Sequence, residues 1–200
     1  MELLFYVSRS GSFDENGSYL ELGRVRVKLT PNPFAENATF KQEMKLREGF
    51  VEITGSTHGK SDAIEARIKV WVEVHKPLVH VDIDANKPVA VEAAYESWRT
   101  KDKELASGNY GERFSCFNLM AYSGTVMSTK DEISFTDKGI LFYHRNPKQK
   151  LASQVLIQQQ GLESEADKIT DDLKNRTFGG IFYARMGMIS EAAEYNTKKL

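Results

Sequence analysis

Apolar and polar residues alternate through most of the first half of the chain. Between Ile64 and Val74, six apolar side chains occupy every second position, and charged residues or Trp71 stand between them. A strand places such a set on one face, whereas a helix would scatter it around its axis. The pattern therefore predicts a strand that is buried on one side.

Shorter runs of the same alternation predict further strands at residues 39–46, 51–53, 79–84 and 89–96. The turns between them are shorter than the crossover of about a dozen residues that a parallel pair needs, so neighbouring strands are expected to pair antiparallel. The start of the chain adds an apolar strand at 3–10, a polar loop at 11–17 and a returning strand at 22–29. Together these runs predict an antiparallel sheet with one charged face and one apolar face that needs a cover.

Beyond residue 100 the alternation weakens. Residues 100–138 are polar and then apolar without a clear period, which predicts a long loop or insertion. Residues 139–145 predict a strand buried on both faces, residues 151–174 a helical region that Gly161 interrupts, and residues 178–184 a last strand. We expect an all-β, mainly antiparallel fold: a single β-sandwich domain over residues 1–200, belonging to a larger protein, with one helical segment.

Composition narrows the range of partners. The chain has 200 residues, 27 basic and 28 acidic side chains, and a net charge of −1. A protein that binds the nucleic-acid backbone is normally strongly basic, so we expect no nucleic-acid partner. No apolar run approaches the roughly 20 residues of a membrane helix, so no membrane partner is expected either. The single cysteine, Cys116, excludes an internal disulfide, and its apolar neighbours predict an inert buried thiol.

Motifs that would carry chemistry are sparse. The run from Gly55 to Ser61 resembles a phosphate-binding loop, but it has three residues between its glycines instead of four and precedes a strand rather than a helix. A Gly-rich hairpin is the better interpretation. The four histidines show no metal-binding spacing, and no nucleophile motif surrounds a serine. The motifs therefore predict no metal site and no cofactor, whereas a pair of glycosidase carboxylates cannot be recognised from sequence alone.

The two tryptophans attract more interest. Trp71 and Trp98 both fall on the polar side of the alternation of their predicted strands. A large aromatic ring in that position either packs under another element or offers a surface on which a sugar ring stacks. The sequence leaves both alternatives open.

Several segments resemble one protein family. The sequence LFYVSRSGSFDEN at residues 4–16, followed by LGRVRV at 22–27, is similar to the N-terminal β-domain of large bacterial glycoside-hydrolase-like proteins. That domain is one of unknown function and is related to the α-L-fucosidases. The stretch from VHVDID at 79–84 to ESWR at 96–99 and the segment NRTFGG at 175–180 resemble the same family.

The resemblance implies a β-supersandwich that precedes and supports an (α/α)6 toroid, and the toroid would supply the catalytic carboxylates. No catalytic residue carries over to this chain, so we expect it to be non-catalytic alone and to have its own toroid domain as partner. The resemblance also implies contact with an oligosaccharide, with Trp71, Trp98, Arg99, Asp14 and Asn16 as candidate ligand-binding residues. The expected location is the periplasm or the extracellular space.

The alternative is a stand-alone β-sandwich with a structural or interaction role and no link to carbohydrate. In either case, open sheet edges expose unpaired backbone groups that attract other strands. We therefore also expect an edge-strand homodimer.

Overall fold

The computed structural model describes residues 2–58, 62–107, 111–116, 119–148 and 151–185. Most of the regular structure in these residues is strand, and the pairs with a defined register are antiparallel. The predicted fold class, all-β and mainly antiparallel, is therefore confirmed. In chain order the elements are β1 (Leu3–Phe13), β2 (Tyr19–Thr30), β3 (Thr39–Lys45), β4 (Phe50–Ser56), β5 (Glu65–Val72), β6 (Val79–Ala85), β7 (Ala90–Glu96), β8 (Lys103–Glu104), β9 (Met127–Ser128), β10 (Glu132–Thr136), β11 (Gly139–Arg145), α1 (Leu151–Gln160), a 3₁₀ helix (Glu163–Lys168) and β12 (Thr177–Phe182).

The described strands form four sheets, ordered β1-β2-β7, β3-β4-β5-β6, β8-β9 and β10-β11-β12. By its internal contacts the chain divides into two compact units. The first unit consists of Met1–Phe5 and Val25–Ala94, and the second of Tyr6–Arg24 and Tyr95–Leu200. The four-stranded sheet therefore belongs to the first unit, whereas the β10-β11-β12 sheet and α1 belong to the second.

The four-stranded sheet buries one face in the core of the first unit. The buried residues of this core are Leu29, Phe34, Ile53, Ala66 and Ile68. Gly55 on β4 permits the close approach of Phe34, because a Cβ at that position would lie 2.2 Å from the phenyl ring. Residues outside the sheet thus supply part of the cover that the apolar face needs. β5 ends at Val72, and Val74 is 89% exposed in the turn that follows.

The sheet β10-β11-β12 and parts of β2 build a core in the second unit. Its buried residues are Leu20, Leu22 and Phe142, with Tyr95, Phe178 and Phe182 packed against them. The Tyr95 ring stacks on Phe142 with a centroid distance of 4.0 Å, and its hydroxyl donates to the Leu22 carbonyl. Gly23, with φ +140, lies under the same ring, where a Cβ would meet Tyr95 at 2.5 Å. Tyr95 therefore fixes the end of β7 against β2.

The prediction that β11 is buried on both faces is wrong for one of them. Phe142 and His144 are buried, but on the other face Leu141 and Tyr143 are only half-buried and Arg145 is exposed. The strand alternates in the usual way, with aromatic and aliphatic residues on its more open side. His144 is the polar member of the buried face.

The helical region is shorter than predicted and is divided where expected. α1 ends at Gln160, Gly161 adopts φ +64, and the 3₁₀ helix Glu163–Lys168 follows. Val155 of α1 packs with Cys116, Leu119 and Val126 in a further small core of the second unit. Part of the 100–138 segment therefore has a core of its own. Within the described ranges, no helix has the length and apolar character needed to cross a membrane.

Candidate functional site

Residues 96–99, which begin at the last residue of β7, are fixed by hydrogen bonds to buried groups. We call this segment the strap. The Ser97 hydroxyl donates to the Asp131 carboxylate, and Arg99 Nε donates to the same carboxylate at 2.8 Å. Arg99 Nη2 also donates to the Glu21 carbonyl at 2.6 Å, and the Asp131 N–H returns a hydrogen bond to the Arg99 carbonyl at 2.8 Å. These contacts fix the backbone and the side chains on both sides of Trp98.

Asp131 in turn belongs to a buried ionic network. His144 Nδ1 lies 3.0 Å from Asp131 Oδ1, and His144 Nε2 lies 2.9 Å from Glu15 Oε2. The other Glu15 oxygen accepts from the Thr129 N–H at 2.6 Å. The side chains of His144, Asp131 and Glu15 are only 1%, 2% and 7% exposed. The network thus joins four parts of the second unit. These are the β1–β2 turn, the residue that precedes β10, the strand β11, and the strap.

The charges of this network stabilise one another. Burial alone would lower the pKa of His144, but hydrogen bonds to Asp131 and Glu15 raise it to about 9. Burial would raise the pKa of both carboxyls, yet the hydrogen bond with His144 holds each below its usual value, and Arg99 contributes further at Asp131. At neutral pH two cations therefore face two carboxylates. Removal of one partner from such a buried set leaves an uncompensated charge, which is strongly destabilising.

This arrangement suits anchoring better than catalysis. Both nitrogens of His144 face carboxylates, so the imidazole has no lone pair for a metal and no free nitrogen with which to activate a nucleophile. Over the described residues, no three His, Cys, Asp or Glu side chains are arranged to hold a metal ion. Burial raises the pKa of the Cys116 thiol, whose sulfur lies 2.8 Å from the Ser18 hydroxyl, as an inert thiol requires.

Trp98 is the member of the strap that points outward. Its side chain is 48% exposed, and its ring meets the 58% exposed Tyr6 at 6.1 Å and an interplanar angle of 60°. The Arg99 guanidinium lies 5.4 Å from the indole centroid. The prediction that Trp98 sits on a strand is wrong, because β7 ends at Glu96 and the contacts with Asp131 hold the next residues in the strap.

Tyr6 is held in place as well. Arg24 Nε donates to the Glu96 carboxylate, and Tyr6 is close enough to contribute with Glu96 to the raised pKa of the Arg24 guanidinium. Tyr6, Arg24 and Glu96 belong to β1, β2 and β7, which are neighbours in one sheet. The Arg24 and Glu96 side chains are only 15% and 12% exposed, so the pair they form is largely buried. Both exposed rings are therefore supported by buried charged groups.

Trp71 has a different environment in the first unit. On β5 its ring stacks on His80 of β6, with a centroid distance of 4.1 Å and an angle of 10°, and Trp71 Nε1 donates to Asp82 Oδ2 at 2.8 Å. The Lys69 ammonium lies 5.5 Å from the ring centroid. Trp71 does point to the polar face of the sheet, as the alternation predicts. Its ring face and its polar atom, however, are already engaged by neighbouring side chains.

Asp14 and Asn16 shape the β1–β2 turn. Asp14 Oδ1 accepts from the backbone N–H groups of Asn16 and Ser18 at 3.0 and 2.8 Å, and Asn16 Nδ2 donates to the Met127 carbonyl at 2.7 Å. Asn16 is only 2% exposed. Burial raises the pKa of Asp14. Their polar groups therefore hold Glu15, which lies between them, in position for His144.

The structure thus separates the five candidate residues. Trp98 and Arg99 share the strap, Asp14 and Asn16 support the network below it, and Trp71 belongs to the other unit. Sequence reasoning missed the residues that connect them. His144 offered a signal, because the two-residue period places it on the same strand face as Ile140 and Phe142. A polar residue on an apolar face needs a buried partner. No sequence spacing identified Glu15, Asp131 or Tyr6.

Comparison with known proteins gives one family. A family model with the description "Domain of unknown function (DUF5703)" matches residues 1–199. No curated protein and no solved structure matches the chain.

Proposed function

The chain belongs to this family of domains of unknown function, and from that premise we propose that it is a non-catalytic β-sandwich module of a carbohydrate-active, glycoside-hydrolase-like enzyme. In this proposal the module supports a catalytic (α/α)6 toroid of the same protein, contacts glycan, and works in the periplasm or outside the cell. Two kinds of support are available: the resemblance of its segments to such proteins, and the arrangement around Trp98.

The observation that carries the proposal is the contrast between the exposed rings and the charged groups beneath them. Trp98 and Tyr6 stand at the surface, whereas Glu15, Asp131 and His144 are buried and bind one another. A surface of fixed aromatic rings suits ligand binding, because little side-chain freedom is lost on association. The same site therefore has the features of a binding module.

The carboxylates of the network lack the free space between them that a glycosidase needs. Such an enzyme needs two carboxyl groups on either side of the scissile bond, roughly 5 to 10 Å apart, with the sugar between them. Glu15 and Asp131 instead accept hydrogen bonds from the two ring nitrogens of His144, at 2.9 and 3.0 Å. His144 occupies the space that a sugar would need, so we assign the carboxylates to support and the chemistry to the toroid.

The test is a comparison of two proteins on a panel of aryl-glycosides, including p-nitrophenyl α-L-fucoside. We expect the natural full-length protein to release p-nitrophenol and the 200-residue chain to release none. Turnover by the chain alone would contradict its non-catalytic role. Failure of the full-length protein on every glycoside, together with a coding frame that lacks paired amphipathic helices, would remove the link to carbohydrate chemistry.

A second candidate is an interaction protein with no carbohydrate role. Tyr, Trp and Arg dominate the binding energy of protein interfaces, and Tyr6, Trp98 and Arg24 are of these types. This candidate predicts a stable complex with another protein and no effect of any oligosaccharide. The edge-strand homodimer stays a prediction that light scattering at high concentration tests: a single monomeric species would contradict it.

A further inference from the structure

Tyr6 and Trp98 form a corner of two exposed rings in the second unit. Their centroids are 6.1 Å apart and their planes meet at 60°, and Tyr6 and Trp98 are 58% and 48% exposed. Two rings at this angle do not make one continuous flat surface. They meet edge to face, and the exposed part of such a pair suits a single six-membered sugar ring better than an extended flat ligand.

The corner is prepared before any ligand arrives. Arg24, which lies close to Tyr6, is bound by Glu96, while Ser97 and Arg99 bind Asp131 on either side of Trp98. Rings that are already fixed lose little conformational freedom on binding, so more of the contact energy appears as affinity. An exposed aromatic pair that only filled space would not need this support.

The chemistry of the corner matches a neutral pyranose. The aliphatic C–H groups of a sugar are weakly positive and pack on the electron-rich face of an indole or phenol ring. Its hydroxyls need polar partners at the rim, where the Arg99 guanidinium lies 5.4 Å from the centroid of the Trp98 ring. Arg24 and Arg99 are each paired with a carboxylate, so the rim has no excess of one charge.

We propose that the Tyr6–Trp98 corner is a sugar-binding subsite that takes one pyranose residue of a neutral oligosaccharide. This inference rests on the proposed function and names the surface through which the module contacts glycan. At the ligand efficiency of drug-sized ligands, a single pyranose of about a dozen heavy atoms binds with a Kd on the order of 1 mM.

The test is a titration of the 200-residue chain with cellohexaose, xylohexaose, mannohexaose and β-1,4-galactohexaose. Each sugar is added up to about ten times the expected Kd, and binding is detected by the NMR chemical shifts of the indole N–H groups. We expect at least one hexasaccharide to shift the Trp98 signal and leave the Trp71 signal in place. Trp98→Ala and Tyr6→Ala should each weaken binding at least tenfold. Tyr19→Ala is the matched control, because it removes a 53% exposed ring of the same unit and should bind normally.

Each other outcome overturns the subsite. Binding that Trp98→Ala leaves unchanged, or that shifts only Trp71, places the sugar elsewhere while the glycan role of the module stands. If no hexasaccharide binds, but Trp98→Ala weakens association of the chain with its separately expressed toroid domain, the corner is a domain interface. If neither partner binds, the corner has no binding role. The aryl-glycoside assay on the full-length protein decides the proposed function independently of all three.

Discussion

The two tryptophans occupy comparable places in the sequence pattern and opposite situations in the structure. Trp71 lies within a sheet of the first unit, stacked on His80 at 4.1 Å and hydrogen-bonded to Asp82 at 2.8 Å. Trp98 lies in the strap of the second unit, 48% exposed, between two residues that bind the buried Asp131. Neighbouring side chains stack on the Trp71 ring and accept its hydrogen bond. The Trp98 ring is held in place by the contacts of the residues on either side of it and remains exposed.

The difference shows that exposure alone does not identify a binding residue. A half-exposed aromatic ring on a sheet face gains stability from cross-strand partners, and these partners also cover its surface. The position of Trp98 on the strap is fixed mainly by the contacts of Ser97 and Arg99, and 48% of the residue stays exposed beside Tyr6 and Arg99. The contacts of the adjacent residues therefore decide how each ring is held in place.

The largest effect should come from breaking the network beneath the strap. Asp131→Asn removes the buried carboxylate that Arg99 and His144 share, so we expect a loss of about 3–5 kcal/mol in the free energy of unfolding. Asp82→Asn removes the carboxylate that Trp71 contacts on an exposed surface and should cost less than about 1 kcal/mol. Urea denaturation followed by circular dichroism measures both. Equal losses for the two variants would contradict the difference between the two environments.

Stability should also depend on pH through His144. Its pKa is about 9 in the folded protein and near 6.5 in the unfolded chain, so the folded state binds more protons between these values. The stabilisation is complete below about pH 6.5 and is lost as the pH rises through about 9, with a slope of at most about 1.4 kcal/mol per pH unit. The lowered pKa of Glu15 and of Asp131 has the opposite sign, with stability lost as the pH falls below the unfolded carboxyl values.

His144→Gln separates this dependence from general effects of pH. Glutamine keeps hydrogen-bonding capacity but does not titrate, so the variant should be less stable at pH 6 and should show little change between pH 6.5 and 9. Unfolding midpoints at several pH values provide the measurement. If the natural protein and the variant have parallel pH profiles, His144 is not the titrating group.

A smaller effect should distinguish the two tryptophans themselves. Trp71→Ala removes a stacked ring and a hydrogen bond and should lower the free energy of unfolding by about 1–3 kcal/mol. Trp98→Ala removes an open ring and should cost less than about 1 kcal/mol. The same urea titrations apply. A larger loss at Trp98 than at Trp71 would mean that the open ring has a structural role after all.

The sequence was a good guide where the structure follows a local rule. The alternation from Ile64 onward predicted β5 and the polar side of Trp71, and Gly161 marked the break after α1. These features depend on residues two to four positions apart, which a strand or a helix repeats regularly. Most of the sheet structure was therefore predictable.

The site was not predictable in the same way, because its contacts join distant parts of the chain. Glu15 meets His144 across 129 positions, and Arg99 meets Asp131 across 32. No periodicity connects such residues. Trp98 shows the consequence: local alternation placed it on a strand, whereas the long-range contacts of Ser97 and Arg99 place it on a strap. The one useful signal was a histidine on the apolar face of β11.

The most direct test of this account measures the mobility and exposure of Trp98. The chain has two tryptophans, so Trp71→Phe leaves Trp98 as the sole indole fluorophore. We predict strong quenching by acrylamide together with an anisotropy decay that shows only the tumbling of the folded protein, and fast local motion once Asp131→Asn is added. Fast local motion of Trp98 with the network intact, or protection of Trp98 from acrylamide, would contradict the claim that buried charges fix an open ring.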